Sequence, residues 1–219
     1  MRANPGNHWL LASTAAALLG VAISIKLIPL LILPLCAFAL RRRAPVLLLS
    51  LALPAALGLL YGYPQVPIWD SLGNFAHVTR LNDLFWWLIE ETVWPNPRQK
   101  NYRYNVIIIA AVCSISLLFW RNWRRGLLWV LGTATILTPV LHPWYLTWLL
   151  PFAAWRRAQP WQVLSVSLFA YYLFWNERLF WLPWRSEPWL RAIIMLPPLV
   201  ALLLFCLTRG TARLRQIPP

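Results

Sequence analysis

The sequence predicts an all-α protein: a polytopic helical bundle in a membrane, with about eight apolar segments, some of them short hairpin arms. Three observations carry that prediction. The chain is 60% hydrophobic and only 12% charged, about half the charge of an ordinary soluble domain. It holds 16 tryptophans in 219 residues, and an indole suits the boundary between lipid and water. Finally, the runs 44–60 and 192–208 carry no charge at all.

The elements follow in chain order. MRANPGNHWLLASTAAALLG has one arginine and then an apolar stretch, like a signal peptide. The apolar run continues past Lys26 to Leu40 without a small-residue cleavage site, so it reads as a retained membrane segment. The segments expected are 8–25, 27–40, 44–62, 104–120, 126–141, 144–155, 160–176 and 189–208, the second and sixth being short for full crossings. The stretch 63–103 is the longest that does not span. Within it a helix over 78–94 is expected to lie in the interface. Leu81, Leu84, Phe85 and Leu88 would share its apolar face and Asp83, Trp87 and Glu90 the opposite one, with Trp86, Trp87 and Trp94 at the boundary. Glu90 and Glu91 read as solvated charges. One membrane domain over 1–219 is the simplest division, with an outer loop at 63–103 and a tail at 209–219. Repeats, glycine-rich phosphate loops and low-complexity tracts are absent from the sequence.

Net charge is +14, but the basic residues sit in short clusters between apolar runs, so they read as topology determinants and not as a nucleic-acid face. Arg41–Arg43, the group Arg121, Arg124 and Arg125, the pair Arg156 and Arg157, and the tail Arg209, Arg213 and Arg215 fall on one side. That side is cytoplasmic and takes both termini. Asp70, Asp83, Glu90, Glu91, Glu177 and Glu187, all the acidic residues of the chain, fall on the other. Cys36, Cys113 and Cys206 lie in apolar runs, where cysteine acts as a small hydrophobe, so neither a disulfide framework nor a metal site is expected.

Two ionisable residues interrupt the apolar sequence at expected outer turns. His142 stands in TPVLHPWYLTWLLP, where Pro143 is expected to end the preceding helix. Its bland role is in a turn with belt aromatics. Its functional role is at a pocket rim, the imidazole donating to a phosphate or sugar hydroxyl while Trp144 and Tyr145 pack on a sugar ring. Lys26 stands in AISIKLIPLLILPL. Snorkelling to the interface explains it, as does holding a lipid-linked phosphate. Placed at two outward turns, His142 and Lys26 are expected to converge on one outer pocket.

IKLIPLLILPL followed by RRR, RLNDLFWWL and TPVLHPWYLTWLLP resemble the polyprenyl-phosphate-sugar-dependent glycosyltransferases of the multi-span GT-C class, nearest to the bacterial mannosyltransferase-like branch. The likeness runs over roughly 8–176. It implies a membrane glycosyltransferase of the plasma or inner membrane, moving a hexose such as mannose from a polyprenyl-phosphate carrier to an acceptor on the outer face. The lipid-linked sugar is its substrate and no separate cofactor is implied. The family's catalytic carboxylate lies in a first outer loop that this sequence lacks. The resemblance therefore places Met1 about midway along the family's chain, implies a C-terminal part that works with a separately encoded N-terminal half, and implies no transfer activity by this chain alone. Lys26, Arg80 and His142 are the candidate phosphate contacts, Trp144 and Tyr145 the candidate sugar contacts, and Asp83 the remaining candidate base. The alternative function is a transporter or lipid-carrier-handling protein without chemistry, although charges near segment ends and the lack of repeated halves argue against a transporter.

The charge pattern makes a direct prediction. In intact cells, cysteines introduced at 72 and 96 should react with an impermeant maleimide from outside and one at 212 should not; labelling at 212 would invert the topology.

Overall fold

The computed structural model describes residues 5–39, 44–61, 68–81, 83–97, 100–155, 157–173 and 188–214. The described residues are helical, with no strand beyond one isolated backbone bridge. Two helices are long and apolar enough to cross a membrane, over Tyr102–Leu137 and Pro188–Phe205, and shorter apolar helices cover Leu10–Ile25, Ile28–Phe38 and Leu47–Tyr61. The expected clusters at Arg41–Arg43 and Arg156, and the acidic residues Glu177 and Glu187, lie outside the described residues. Contacts divide the chain into two compact units, residues 1–78 with 105–134, and residues 79–104 with 135–219.

In the first unit, α1 (Pro5–Ile25) packs along α3 (Ala44–Tyr61). Gly20 makes this close approach possible: a Cβ there would lie 2.9 Å from the backbone oxygen of Ser50, and small residues let membrane helices meet backbone to backbone. Two hydroxyls turn back on their own helices, Ser24 to the Gly20 carbonyl at 2.8 Å and Ser50 to the Leu47 carbonyl at 2.7 Å, which pairs them without a partner from outside the helix. Leu10, Leu18 and Ile25 are 64–76% exposed, an apolar outer surface such as lipid would cover. Beyond α1, Lys26 donates its amide to Ala22 at 3.0 Å. Pro29 then opens a tight 3-10 turn, Ile28–Ile32, that leads into α2 (Leu33–Ala39). The remaining helices of this unit are α4 (Ile68–Val78), α6 (Tyr102–Phe119) and α7 (Trp123–Leu137). Asn105 secures α4 by donating to the Ala76 carbonyl at 3.1 Å. Gly126 gives room to Leu35, whose methyl group would lie 2.8 Å from an added Cβ.

The second unit corrects two expectations. No single helix covers 78–94: α4 stops at Val78 and α5 runs Leu84–Thr92. Leu81 lies between them and pairs instead with Val140, its amide donating to Pro139 at 2.9 Å and its carbonyl accepting from Leu141 at 2.8 Å. A residue whose backbone pairs with another segment cannot also extend a helix. The expected faces change accordingly. Phe85 and Leu88 are exposed, whereas Trp86, expected at the boundary, is buried; it donates its indole N–H to the Leu137 carbonyl at 2.6 Å and stacks on Tyr104 at 4.1 Å. Pro143 does not end α7 either. The helix stops at Leu137, because Pro139 pushes Thr138 out of helical geometry, and Pro143 instead starts a 3-10 turn, Pro143–Trp148.

From that turn the chain continues as α8 (Leu150–Trp155) and α9 (Gln159–Ser167), and a C-terminal helix, Pro188–Leu214, packs on α9. Pro197 and Pro198 lie inside that last helix. Pro198 has no amide for the Ile194 carbonyl four residues back, and the Ser167 hydroxyl supplies the donor at 2.6 Å.

Gly20→Ala is predicted to destabilise the purified protein by about 1–3 kcal/mol, as expected for overpacking, because the obstructing atom is backbone and cannot rotate away. Equilibrium unfolding in detergent measures this, and an unchanged stability would show that the α1–α3 contact is looser than described.

Candidate functional site

The site is built within the second unit. The Leu81–Val140 bridge joins the RLND turn to the segment 138–142, two stretches far apart in sequence. Thr138 shapes the 138–140 side of this contact, its hydroxyl donating to the Val140 carbonyl at 2.8 Å.

Arg80 and Asp83, which flank Leu81 in sequence, belong to a charge network. Arg80 donates through Nε to Asp83 Oδ2 at 2.7 Å and through Nη2 to the same oxygen, while its Nη1 reaches Glu90. Arg191 approaches the other Asp83 oxygen at 3.9 Å and lies over the Trp87 ring at 5.4 Å. Glu90 also accepts from Tyr104 and from Asn96 at 2.8 Å, and Arg103 stands 3.8 Å away. Arg103 in turn donates to the Trp94 and Pro95 carbonyls and covers the Trp94 ring at 4.1 Å. Glu90 is therefore held inside a network and is not the solvated helix charge that was expected, whereas Glu91 is exposed. Three guanidinium groups face two carboxylates, so the cluster is net cationic when both acids are ionised.

Asp83 is only 3% exposed. Burial raises its carboxyl above the ordinary aspartate value, with Arg80 and Arg191 opposing that rise. Burial works to lower the Arg80 value, but Asp83 and Glu90 outweigh it and hold the guanidinium charged. A raised folded value means that Asp83's own contribution to stability is complete below about pH 3.9. That contribution is lost as pH rises through the folded value.

Two residues beyond Val140, His142 sits among aromatic rings. Trp144 stacks on it at 4.3 Å and 11°, and Tyr145 and Tyr171 meet it edge-on at 5.3 and 5.5 Å. Its Nδ1 is 3.0 Å from the Tyr171 hydroxyl, which fixes the ring plane. Trp144 is 43% exposed, leaving an indole surface open to a partner.

Arg80 and Asp83 thus meet directly, and His142, Trp144 and Tyr145 form one cluster. Lys26 belongs to the first unit. Glu90, Tyr104, Arg191 and Tyr171 were not among the sequence candidates. Arg191 carried a readable signal, a lone arginine at the start of an apolar run; Tyr104 and Tyr171 looked like ordinary belt aromatics. Among the described residues no cluster of histidine, cysteine and acidic side chains could hold a metal. No protein-family model, curated protein or solved structure matches the chain.

Removing Arg80 leaves two carboxylates without their shared cation. Arg80→Ala should cost about 3–5 kcal/mol, the range for breaking a buried ion pair, while Glu91→Ala should stay within about 0.5 kcal/mol. Unfolding midpoints of the two variants check this, and equal midpoints would reduce the network to a surface feature.

Proposed function

We propose that the chain is a multi-pass membrane glycosyltransferase polypeptide of the GT-C kind, handling a hexose such as mannose carried on polyprenyl phosphate, at the outer face of the plasma or inner membrane. The observation that carries this reading is the Leu81–Val140 bridge, which seats a cation-rich turn and a histidine–aromatic cluster on one short piece of backbone. A lipid-linked sugar needs both kinds of group: positive charge for the phosphate and flat apolar rings for the sugar face. Arg80, Arg103 and Arg191 supply the first, and Trp144, with Tyr145 beside it, the second. In this reading the His142 imidazole, oriented by the Tyr171 hydroxyl, is a donor to phosphate or sugar hydroxyl.

In the transfer itself, an acceptor hydroxyl attacks the anomeric carbon and the bond from that carbon to the phosphate oxygen breaks. Polyprenyl phosphate leaves, and the hydroxyl proton passes to a carboxylate. Burial makes Asp83 a stronger base than an ordinary aspartate. Both of its oxygens, however, face guanidinium groups, so the acceptor must displace Arg191, the more distant of the two, to reach it. That occupancy also favours a second reading, in which the chain holds the lipid carrier without performing chemistry.

Binding and transfer separate the two. His142→Ala and Trp144→Ala should each weaken binding of a polyprenyl-phosphate mannose by about tenfold, equivalent to about 1.4 kcal/mol, in nanodiscs holding the purified protein. Wild-type affinity in both variants would remove the donor-binding role. Donor binding with no transfer to a hydroxyl acceptor even when an N-terminal half is supplied would favour the carrier-handling reading.

A further inference from the structure

A groove of about 710 Å³ runs between α9 and the C-terminal helix, within the range of about 300–1,000 Å³ usual for ligand pockets. Its walls are aliphatic, formed by Val163, Val166, Ile193, Ala201 and Leu204, and its polar side chains include Gln159 and Gln162. The Ser167 bond to Ile194 sets the end of α9 beside the first half of the last helix. The glutamines therefore lie toward the opposite end, with Leu204. From Ile193 to Leu204 a helix rises about 16 Å, roughly half the 30 Å hydrocarbon thickness of a bilayer. The groove thus has the length of one leaflet.

The turn that leads into the glutamine end is unusual. Arg157 has φ 50°, the left-handed region in which a Cβ is strained and glycine is preferred. The turn closes α8 by a Schellman pattern, with the Ala158 amide donating to Ala153 at 2.8 Å and the Arg157 amide to Ala154 at 3.1 Å. Glycine is the usual residue at that position. Here it is an exposed arginine, whose carbonyl accepts from Gln159 at 3.1 Å, so the guanidinium is rooted two residues from the groove mouth. Neither 157–167 nor 188–214 contains an acidic residue. An apolar channel one leaflet long, ending in amide donors and a cation without a counter-charge in its own elements, matches one ligand chemistry.

We infer that this groove holds one acyl chain of an anionic phospholipid, whose phosphate meets Arg157 and the Gln159 and Gln162 amides. That the lipid comes from the cytoplasmic leaflet rests on the topology of the proposed function; the groove itself does not. The arginine at a glycine position is then explained, since its charge serves the headgroup at the expense of local backbone strain.

The test is native mass spectrometry of the full chain in detergent, titrated with phosphatidylglycerol or phosphatidylcholine. Wild type should bind one phosphatidylglycerol about fivefold more tightly than phosphatidylcholine, the effect of one arginine at an anionic headgroup. Arg157→Gly should abolish that preference while leaving the unfolding midpoint unchanged or higher, because glycine accepts the left-handed turn. Val163→Trp should fill the groove and weaken binding of both lipids, and Gln159→Glu, which does not crowd the helices, should cancel the preference by offsetting the Arg157 charge. Equal affinity of wild type for the two lipids, or a preference that survives both Arg157→Gly and Gln159→Glu, overturns the inference. A cysteine at 157 should be shielded from impermeant maleimide in intact cells. Labelling from outside would overturn the leaflet assignment and the topology together, while mass spectrometry alone decides the groove.

Discussion

A half-buried guanidinium between two carboxylates sets the terms for the second unit. Arg80 holds Asp83 at the start of α5 and Glu90 two turns along it, and the remaining oxygens of those acids draw in Arg191 from the C-terminal helix and Tyr104 from α6. Charges this poorly solvated are stable only when each keeps a partner. Tyr104 itself belongs to the second unit, so the network closes within that unit. Trp86 is buried and stacks on Tyr104, which is itself a donor to Glu90.

The same geometry shapes the proposed chemistry. A network of three cations and two anions has charge left over for a phosphate, yet none of its acids is idle. Approach of a substrate phosphate would compete with Asp83 for Arg191, the weakest pair at 3.9 Å, and so tie donor binding to release of the only buried carboxylate among the described residues. In the aromatic cluster around His142 the rings are fixed by each other and by Tyr171.

Local periodicity was reliable where helices are long and apolar. Among the described residues the expected segments 8–25, 44–62, 104–120 and 189–208 fall on helix, as α1, α3, α6 and the last helix, because a long apolar run satisfies its backbone groups most readily along its own length. It failed between Val78 and Leu84, where apolar spacing continued but the backbone turned aside to pair with Val140. It also misplaced the end of α7: Pro139, four residues ahead of the more conspicuous Pro143, stops that helix. Glu90 was legible as a charge, but its partners Arg80, Asn96 and Tyr104 lie on three separate stretches of chain.

What the sequence determined by itself was helix, apolarity and the positions of its interruptions, since these follow from residues within a turn or two of one another. It also marked Asp83, Arg80, His142, Trp144 and Tyr145 as chemically distinct. The tertiary structure alone decided which of these meet and in what state. Ion pairing, stacking and burial depend on side chains tens of residues apart, as with Arg191 and Asp83 or His142 and Tyr171. Local pattern carries no term for a partner that only folding supplies.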